Sequence, residues 1–223
     1  MNILFKFSEW KNEHYFSAET KGSVFLRDIG FPDEVPDESP NEYGAIPYSA
    51  IIKVLKELEK YLYPEYKHVF IDYGCGKGRA LLVAGLYPFK KVIGIELCPE
   101  LSSVAKKNIA VASSRLVCRN IDVLTQNATE FQLPQDSTVL HFYNPFQTNV
   151  LEKVIENIRK SLEKSPRELL ILYANPFPFE RLLKRNTLIP KEWVKGIQTV
   201  CWPYFTPRNI YGNTYRIYKI IPS

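Results

Sequence analysis

The apolar positions of this chain follow two rhythms. Short β-prone runs, Val69–Tyr73, Val92–Glu96, Ile121–Leu124, Val139–Tyr143 and Glu168–Ala174, alternate with stretches whose apolar residues recur every three or four positions. The first kind reads as buried strands, the second as helices laid against them. Pro47 opens a helix with Ile51, Ile52, Leu55, Leu58 and Leu62 on one stripe, broken by Glu59. Ala80–Leu86 starts another. Pro99 opens a third, with Leu101, Val104, Ala105, Ile109 and Ala112 on one face, and Asn149–Glu163 carries Val150, Val154, Ile155, Ile158 and Leu162. Phe179–Arg185 reads as a short basic helix. Val194–Trp202 and Thr214–Ile221 read as two last strands joined by a long aromatic connection. Strands alternating with helices predict an α/β fold, a single doubly wound and mostly parallel sheet with helices on both faces. The last two strands add a C-terminal antiparallel hairpin.

Residues 1–46 precede this pattern and read as an N-terminal arm, with residues 47–223 as the domain proper. Trp10–Phe16 has helical character. Phe31–Pro40 is acidic and punctuated by Pro32, Pro36 and Pro40, so it is neither a regular helix nor a central strand. The aromatic entry segment Tyr43–Ser49, Tyr48 included, has two readings. It folds over a bound cofactor as a lid, or its tyrosines staple the arm to the core.

At 223 residues and 45% apolar content, the chain affords one sizeable core. No apolar run is long enough to span a membrane, and Met1–Phe7 lacks the layout of a signal peptide. The four cysteines (Cys75, Cys98, Cys118, Cys201) are scattered and the histidines number three, so no structural zinc site is expected and the cytoplasm is the natural compartment. A net charge of +5 permits an acidic partner such as nucleic acid without demanding one.

The chemistry concentrates where the first strand ends. Gly74, Gly76 and Gly78 follow Val69–Tyr73 in alternate positions and lead into a helix, and the next strand ends in Glu96. Such a turn at a helix N-terminus is where an open α/β sheet holds a small ligand, and an acid at the tip of the second strand suits both hydroxyls of a ribose. A nicotinamide or flavin site wants Gly-x-Gly-x-x-Gly, but the third position here is Arg79. Asp72, two residues before the first glycine, would repel a pyrophosphate and suits an amine and a sulfonium.

Residues 69–100 therefore resemble motifs I and II of the class I, Rossmann-like S-adenosylmethionine-dependent methyltransferases. The resemblance implies a seven-stranded sheet and S-adenosylmethionine as cofactor. It implies that Asp72 contacts the cofactor's amino group, directly or through water, and that Gly74, Cys75, Gly76 and Gly78 let the backbone approach its methionine part. Glu96 holds the ribose and Leu97 packs on the adenine. In the loop after the third strand, where the family often carries an acid for the adenine amino group, the matching residue is Asn127, with Ala128 and Thr129 giving backbone contacts. A plain turn is the other reading of that loop.

The fourth strand ends in Asn144-Pro145-Phe146, similar to the Asp/Asn-Pro-Pro-Tyr/Phe signature of amino-group methyltransferases without its second proline. Methyl transfer depends mostly on positioning. Asn144 and nearby carbonyls can accept N–H bonds from an amine, and Phe146 can stack on a flat or cationic acceptor. The alternative is a strand-ending turn with a packed phenylalanine. A second Asn-Pro-Phe at Asn175–Phe177 reads as coincidence. Aromatics and cations interleave in the tail (Trp193, Trp202, Tyr204, Phe205, Tyr211, Tyr215 and Tyr218 beside Lys184, Arg185, Lys191, Lys195, Arg208 and Arg216). They suit either single-stranded nucleic acid or the core of the terminal hairpin. With Tyr43–Ser49, the glycine turn and Asn-Pro-Phe, the chain is similar to a small bacterial-type group distantly related to protein-lysine methyltransferases of the Dot1 kind. The resemblance implies methyl transfer to a nitrogen, most plausibly of a protein side chain. Nucleic acid or a small molecule as acceptor is the alternative, as is a catalytically inactive cofactor-binding module.

Overall fold

The computed structural model describes residues 3–25, 42–62, 67–146, 148–184, 189–201 and 214–222. The proline-punctuated stretch 31–40 and the aromatic connection 202–213 lie outside these residues.

In chain order the elements are α1 (Ile3–Phe16), β1 (Ser23–Phe25), β2 (Glu42–Gly44), α2 (Tyr48–Leu58), β3 (Val69–Tyr73), α3 (Arg79–Ala84), β4 (Lys91–Glu96), α4 (Pro99–Ala112), β5 (Ile121–Thr125), β6 (Ser137–Tyr143), α5 (Thr148–Lys164), β7 (Leu169–Ala174), α6 (Phe177–Lys184), β8 (Val194–Cys201) and β9 (Thr214–Ile220). Seven strands form one sheet in the order β5-β4-β3-β6-β7-β9-β8. The first five are parallel, and β9 runs antiparallel to both β7 and β8. The periodicity thus locates the main sheet and its hairpin. It misses the separate antiparallel pair β1–β2, whose register places Val24 opposite Tyr43.

Parallel strands covered on both faces run almost continuously apolar, and β3 and β7 are buried at every position, Asp72 being the one acid among them. Phe70, Val92, Val139, Leu170 and Leu172 face one core, filled by α2 and α3. Ile71, Ile93, Leu140, Phe142 and Ile171 face the other, filled by α5 and α6. On α2 the stripe Ile51, Val54, Leu55 and Leu58 is sealed from water, each side chain contributing about 1.5–3 kcal/mol. Helix α3 is short because it stops at Gly85, where an added Cβ would lie 3.0–3.1 Å from Ile121 and Leu116.

The chain lays β3, β4 and β5 outward in one direction, then crosses to β6 on the other side of β3. The carboxyl ends of β3 and β6 therefore flank the switch point, the crevice where open α/β sheets bind ligands.

Candidate active site

The turn after β3 is built from positive φ angles: Gly74 at +75°, Gly76 at +52° and Gly78 at +82°. L-residues with side chains rarely hold such values. The neighbours add a second constraint. A Cβ on Gly74 would lie 2.7 Å from Cβ of Pro145, and one on Gly78 would lie 3.1 Å from Cβ of Ala105 on α4. Gly94, in the middle of β4, was not singled out from the sequence. A Cβ there would meet Leu81 at 2.5 Å and the Cys75 sulfur at 2.7 Å, so Gly94 makes the space into which the turn folds.

Backbone bonds strap this turn to the end of β4. The amides of Gly74 and Cys75 both donate to the carbonyl of Ile95, at 2.9 and 3.0 Å. Glu96 continues the strap: one carboxylate oxygen accepts from Gly76 N–H at 2.8 Å and the other from Cys98 N–H at 2.9 Å. Burial pushes the Glu96 carboxyl above its ordinary value, against the opposing pull of those N–H bonds. Glu96 thus sits at the strand tip expected of a ribose ligand and also shapes the turn. Burial, aided by the charges of Asp72 and Glu96, holds the Cys75 thiol well above its usual range, so it is a packing group and not a nucleophile.

Asp72 lies just below the turn and is buried. One of its carboxylate oxygens is 2.6 Å from Nδ1 of His141, whose Nε2 is 2.7 Å from the Tyr215 hydroxyl. This chain of buried polar groups crosses β3, β6 and β9 and has no counterpart in the sequence expectations. The oxygen facing His141 has one lone pair engaged, so the expected contact with a cofactor amine falls chiefly to the other one. Leu97 is 42% exposed beside Glu96, an apolar surface open to a flat ring. Ala128 is buried in the core below.

Two expectations need correcting. Tyr48 is fully buried, with Arg79 4.3 Å over its ring and Phe16 stacked at 5.9 Å. A ring sealed on both faces has none left for a cofactor, so of the two readings of Tyr48 the staple is the one that stands. At Asn127 the amide oxygen accepts from the backbone N–H and the hydroxyl of Thr129, each at 2.9 Å. Both lone pairs are used and cannot take an adenine amino group; the NH2 that remains is a donor.

Arg79 stands where a third glycine was wanted, and it does structural work. Nη1 donates to Glu9 and to the Ile46 carbonyl at 2.6 Å each, Nη2 to Glu13 at 3.0 Å, and Nε to Thr20 at 2.7 Å. Burial raises the Glu9 carboxyl above its ordinary value, with the Arg79 charge opposing. Asn108 of α4 adds a second tie, donating to the carbonyls of Lys77 and Glu19 at 2.9 and 3.2 Å. Residues 9–20 of the arm are therefore bolted to the first turn of α3. Glu9 and Glu13, one helical turn apart, were the only local sign of this.

On the other side of the crevice, β6 ends in Asn144, exposed and at φ +50°. Pro145 closes on Gly74, and Phe146 meets Tyr73 edge-on at 6.3 Å. The structure thus brings together Asp72, Gly74, Cys75, Gly76, Glu96, Asn144, Pro145 and Phe146 around the switch point. Among the described residues no cluster of metal-binding side chains occurs, and no helix is long and apolar enough to cross a membrane.

Comparison with known proteins bears on the fold that carries these residues. Residues 71–166, which run from within β3 to just past α5, match the family model described as "Methyltransferase domain". A curated "uncharacterized RNA methyltransferase" of Chlamydia muridarum is 25% identical over 130 residues, 56% of this chain and 30% of that protein. The match thus spans about a third of that relative's length. Two solved structures share the fold. The M. jannaschii tRNA m1G37 methyltransferase has a TM-score of 0.53 and 14% identity, covering 81% of this chain and 51% of that one. A ribosomal protein L11 methylase of Lactobacillus delbrueckii subsp. bulgaricus has a TM-score of 0.52 and 11% identity, covering 81% of each. Over residues 71–166, then, the chain is similar to a methyltransferase domain, and its seven-stranded sheet has the fold of those two solved methyltransferases.

Proposed function

We propose that this chain transfers a methyl group from S-adenosylmethionine to a nitrogen of an RNA base. The observation that carries the reading is the contact of the Asn144-Pro145 corner with Gly74. It sets the end of β6 against the turn that would hold the cofactor's methionine part, so donor and acceptor meet at the switch point. The cofactor supplies a methyl carbon on a sulfonium, and the acceptor nitrogen's lone pair forms the C–N bond as the C–S bond breaks, its proton passing to water. What the protein contributes is position. Glu96 takes the ribose hydroxyls, the Asp72 oxygen not bonded to His141 takes the amine, and the Asn127 NH2 donates to a ring nitrogen of adenine. Asn144 and its carbonyl accept N–H bonds from the acceptor, and Phe146 stacks on its ring.

The sequence alone favours a protein side chain, through the likeness to enzymes of the Dot1 kind. The RNA methyltransferase relative and the net charge of +5 weigh toward RNA. Fold alone does not choose, since one neighbour acts on tRNA and another on a ribosomal protein. The test incubates the protein with methyl-labelled cofactor and either total RNA or total protein. Label that ribonuclease releases, and that Asn144→Gly lowers about 10- to 100-fold while S-adenosylhomocysteine still binds, is the expected result. Label released only by protease overturns the RNA acceptor. Binding without label in either pool leaves a non-catalytic module.

A further inference from the structure

Helix α1 uses its residues inside out. Over residues 9–16 the buried positions are Glu9, Glu13 and Phe16, whereas Trp10 is 54% and Tyr15 48% exposed. A surface helix ordinarily does the reverse. Arg79 explains the buried acids, because it pairs with both. Tyr15 meets the buried Phe16 edge-on at 5.0 Å, yet its ring and that of Trp10 both keep about half of their surface in solvent.

These rings are already ordered for a flat ligand. Trp10 stacks on His14, one turn away, with centroids 5.5 Å apart and planes 9° apart. Lys11 lies between them in sequence and is exposed, as is Lys21, whose carbonyl receives the Lys77 ammonium at 2.9 Å. Glu19 is the one exposed acid of residues 9–21. Exposed aromatic planes and exposed lysines on one short segment suit a partner that is flat and anionic at a regular spacing. A single strand of nucleic acid is both, and stacking on such a platform tolerates any base.

We infer that the outer face of α1 holds a single-stranded segment of the RNA acceptor, with bases on Trp10, His14 and Tyr15 and phosphates near Lys11 and Lys21. The inference rests on the RNA reading above and adds where the RNA lies. It also gives the buried Arg79 cluster a purpose: the helix that grips the RNA is fixed to the turn that would hold the methyl donor, so the bound strand keeps a set distance from the transfer site.

The test measures binding of a short single-stranded oligoribonucleotide to the full chain, by tryptophan fluorescence and by competition, alongside calorimetry with S-adenosylhomocysteine. Trp10→Ala with Tyr15→Ala is expected to weaken the oligonucleotide at least about ten-fold, since a stacked base is worth ~1–3 kcal/mol, with cofactor affinity unchanged. Trp10→Phe should restore most of the loss, and Lys11→Glu with Lys21→Glu should flatten the salt dependence. Wild-type oligonucleotide affinity in the double alanine variant overturns the docking face and leaves the RNA reading standing. A wild-type protein that binds and methylates no RNA overturns both. If the variant instead raises KM for a protein acceptor, the face docks a protein and the RNA assignment is wrong.

Discussion

Two corners of this molecule share the tripeptide Asn-Pro-Phe, and they do different things. Asn144–Phe146 and Asn175–Phe177 close the neighbouring strands β6 and β7, which pair with Tyr143 opposite Ala174. Both asparagines sit at φ +50°, a left-handed value that the short polar side chain of Asn tolerates better than most. So far the jobs are the same, each Asn turning the chain out of a strand. The neighbours differ. The first corner closes on Gly74 and sets Phe146 against Tyr73. The second runs straight into α6, its Asn175 N–H donates to the Thr214 carbonyl at 2.9 Å, and Phe177 is 57% exposed. The motif by itself names a backbone shape; the glycine facing it makes the first corner a candidate acceptor site.

The most damaging way to probe that difference is to fill the space. Gly74→Ala must hold φ +75° and push a methyl to 2.7 Å from Pro145. Left-handed strain of ~1–2 kcal/mol and overpacking of ~1–3 kcal/mol should cost about 2–5 kcal/mol in stability and abolish measurable S-adenosylhomocysteine binding. Pro145→Gly in the same background should recover part of both, as coupled neighbours do. Pro176→Gly, at the second corner, should leave cofactor affinity alone. Wild-type binding by Gly74→Ala in a calorimeter would remove the distinction between the corners.

The next test separates backbone from side chain. Asn144→Gly keeps the left-handed φ and removes only the amide. We expect kcat to fall about 10- to 100-fold, the loss of an oriented bond of ~1–3 kcal/mol, with cofactor affinity retained. Unchanged turnover would mean that the amide takes no part in positioning the acceptor.

How far could these roles be read from the chain? The strands, the glycine turn and the two acids were legible because their signals are local, within β3, β4 and the residues between them. Even there Tyr48 misled, since an aromatic residue next to a helix start looks the same whether it covers a ligand or fills a core. The other determinants join distant residues. Arg79 meets Glu9 across 70 positions and Glu13 across 66, and His141 meets Asp72 across 69 and Tyr215 across 74. No periodicity carries such pairings; a histidine inside the apolar run Val139–Tyr143 was their faint trace. Coincidence was the natural reading of the second Asn-Pro-Phe, because only the sheet order sets β6 and β7 side by side.

A smaller effect is expected at Glu96, which braces the glycine turn that the first corner closes on. Glu96→Gln places an amide NH2 against the N–H of either Gly76 or Cys98, donor facing donor, and should weaken cofactor binding by about 1–2 kcal/mol. The pH dependence follows from its raised carboxyl. The folded protein holds that proton above the ordinary value of 4.5, so the ionisation works against folding. Its cost is absent below 4.5 and complete once pH exceeds the folded value. Cofactor affinity moves the opposite way, because the protonated acid accepts poorly. Calorimetry at stepped pH should show affinity falling before the ordinary carboxylate range is reached. A flat profile down to pH 4.5 would show that Glu96 does not hold the ribose.

The smallest effect belongs to Asn175. Among the described residues its amide oxygen is buried and meets no donor. An orphaned acceptor costs ~1–3 kcal/mol, and Asn175→Gly removes it while keeping the turn. Glycine's greater freedom in the unfolded chain offsets about 0.5–1 kcal/mol of that relief. The melting temperature should therefore stay level or rise slightly, and kcat should not change. This small number is the one that tests the comparison most sharply, because it asks whether the second corner is only a corner. If Asn175→Gly lowers kcat as far as Asn144→Gly does, the buried oxygen was reserved for the acceptor. The two tripeptides would then form one site across β6 and β7, with contact to Gly74 marking only the half nearer the cofactor.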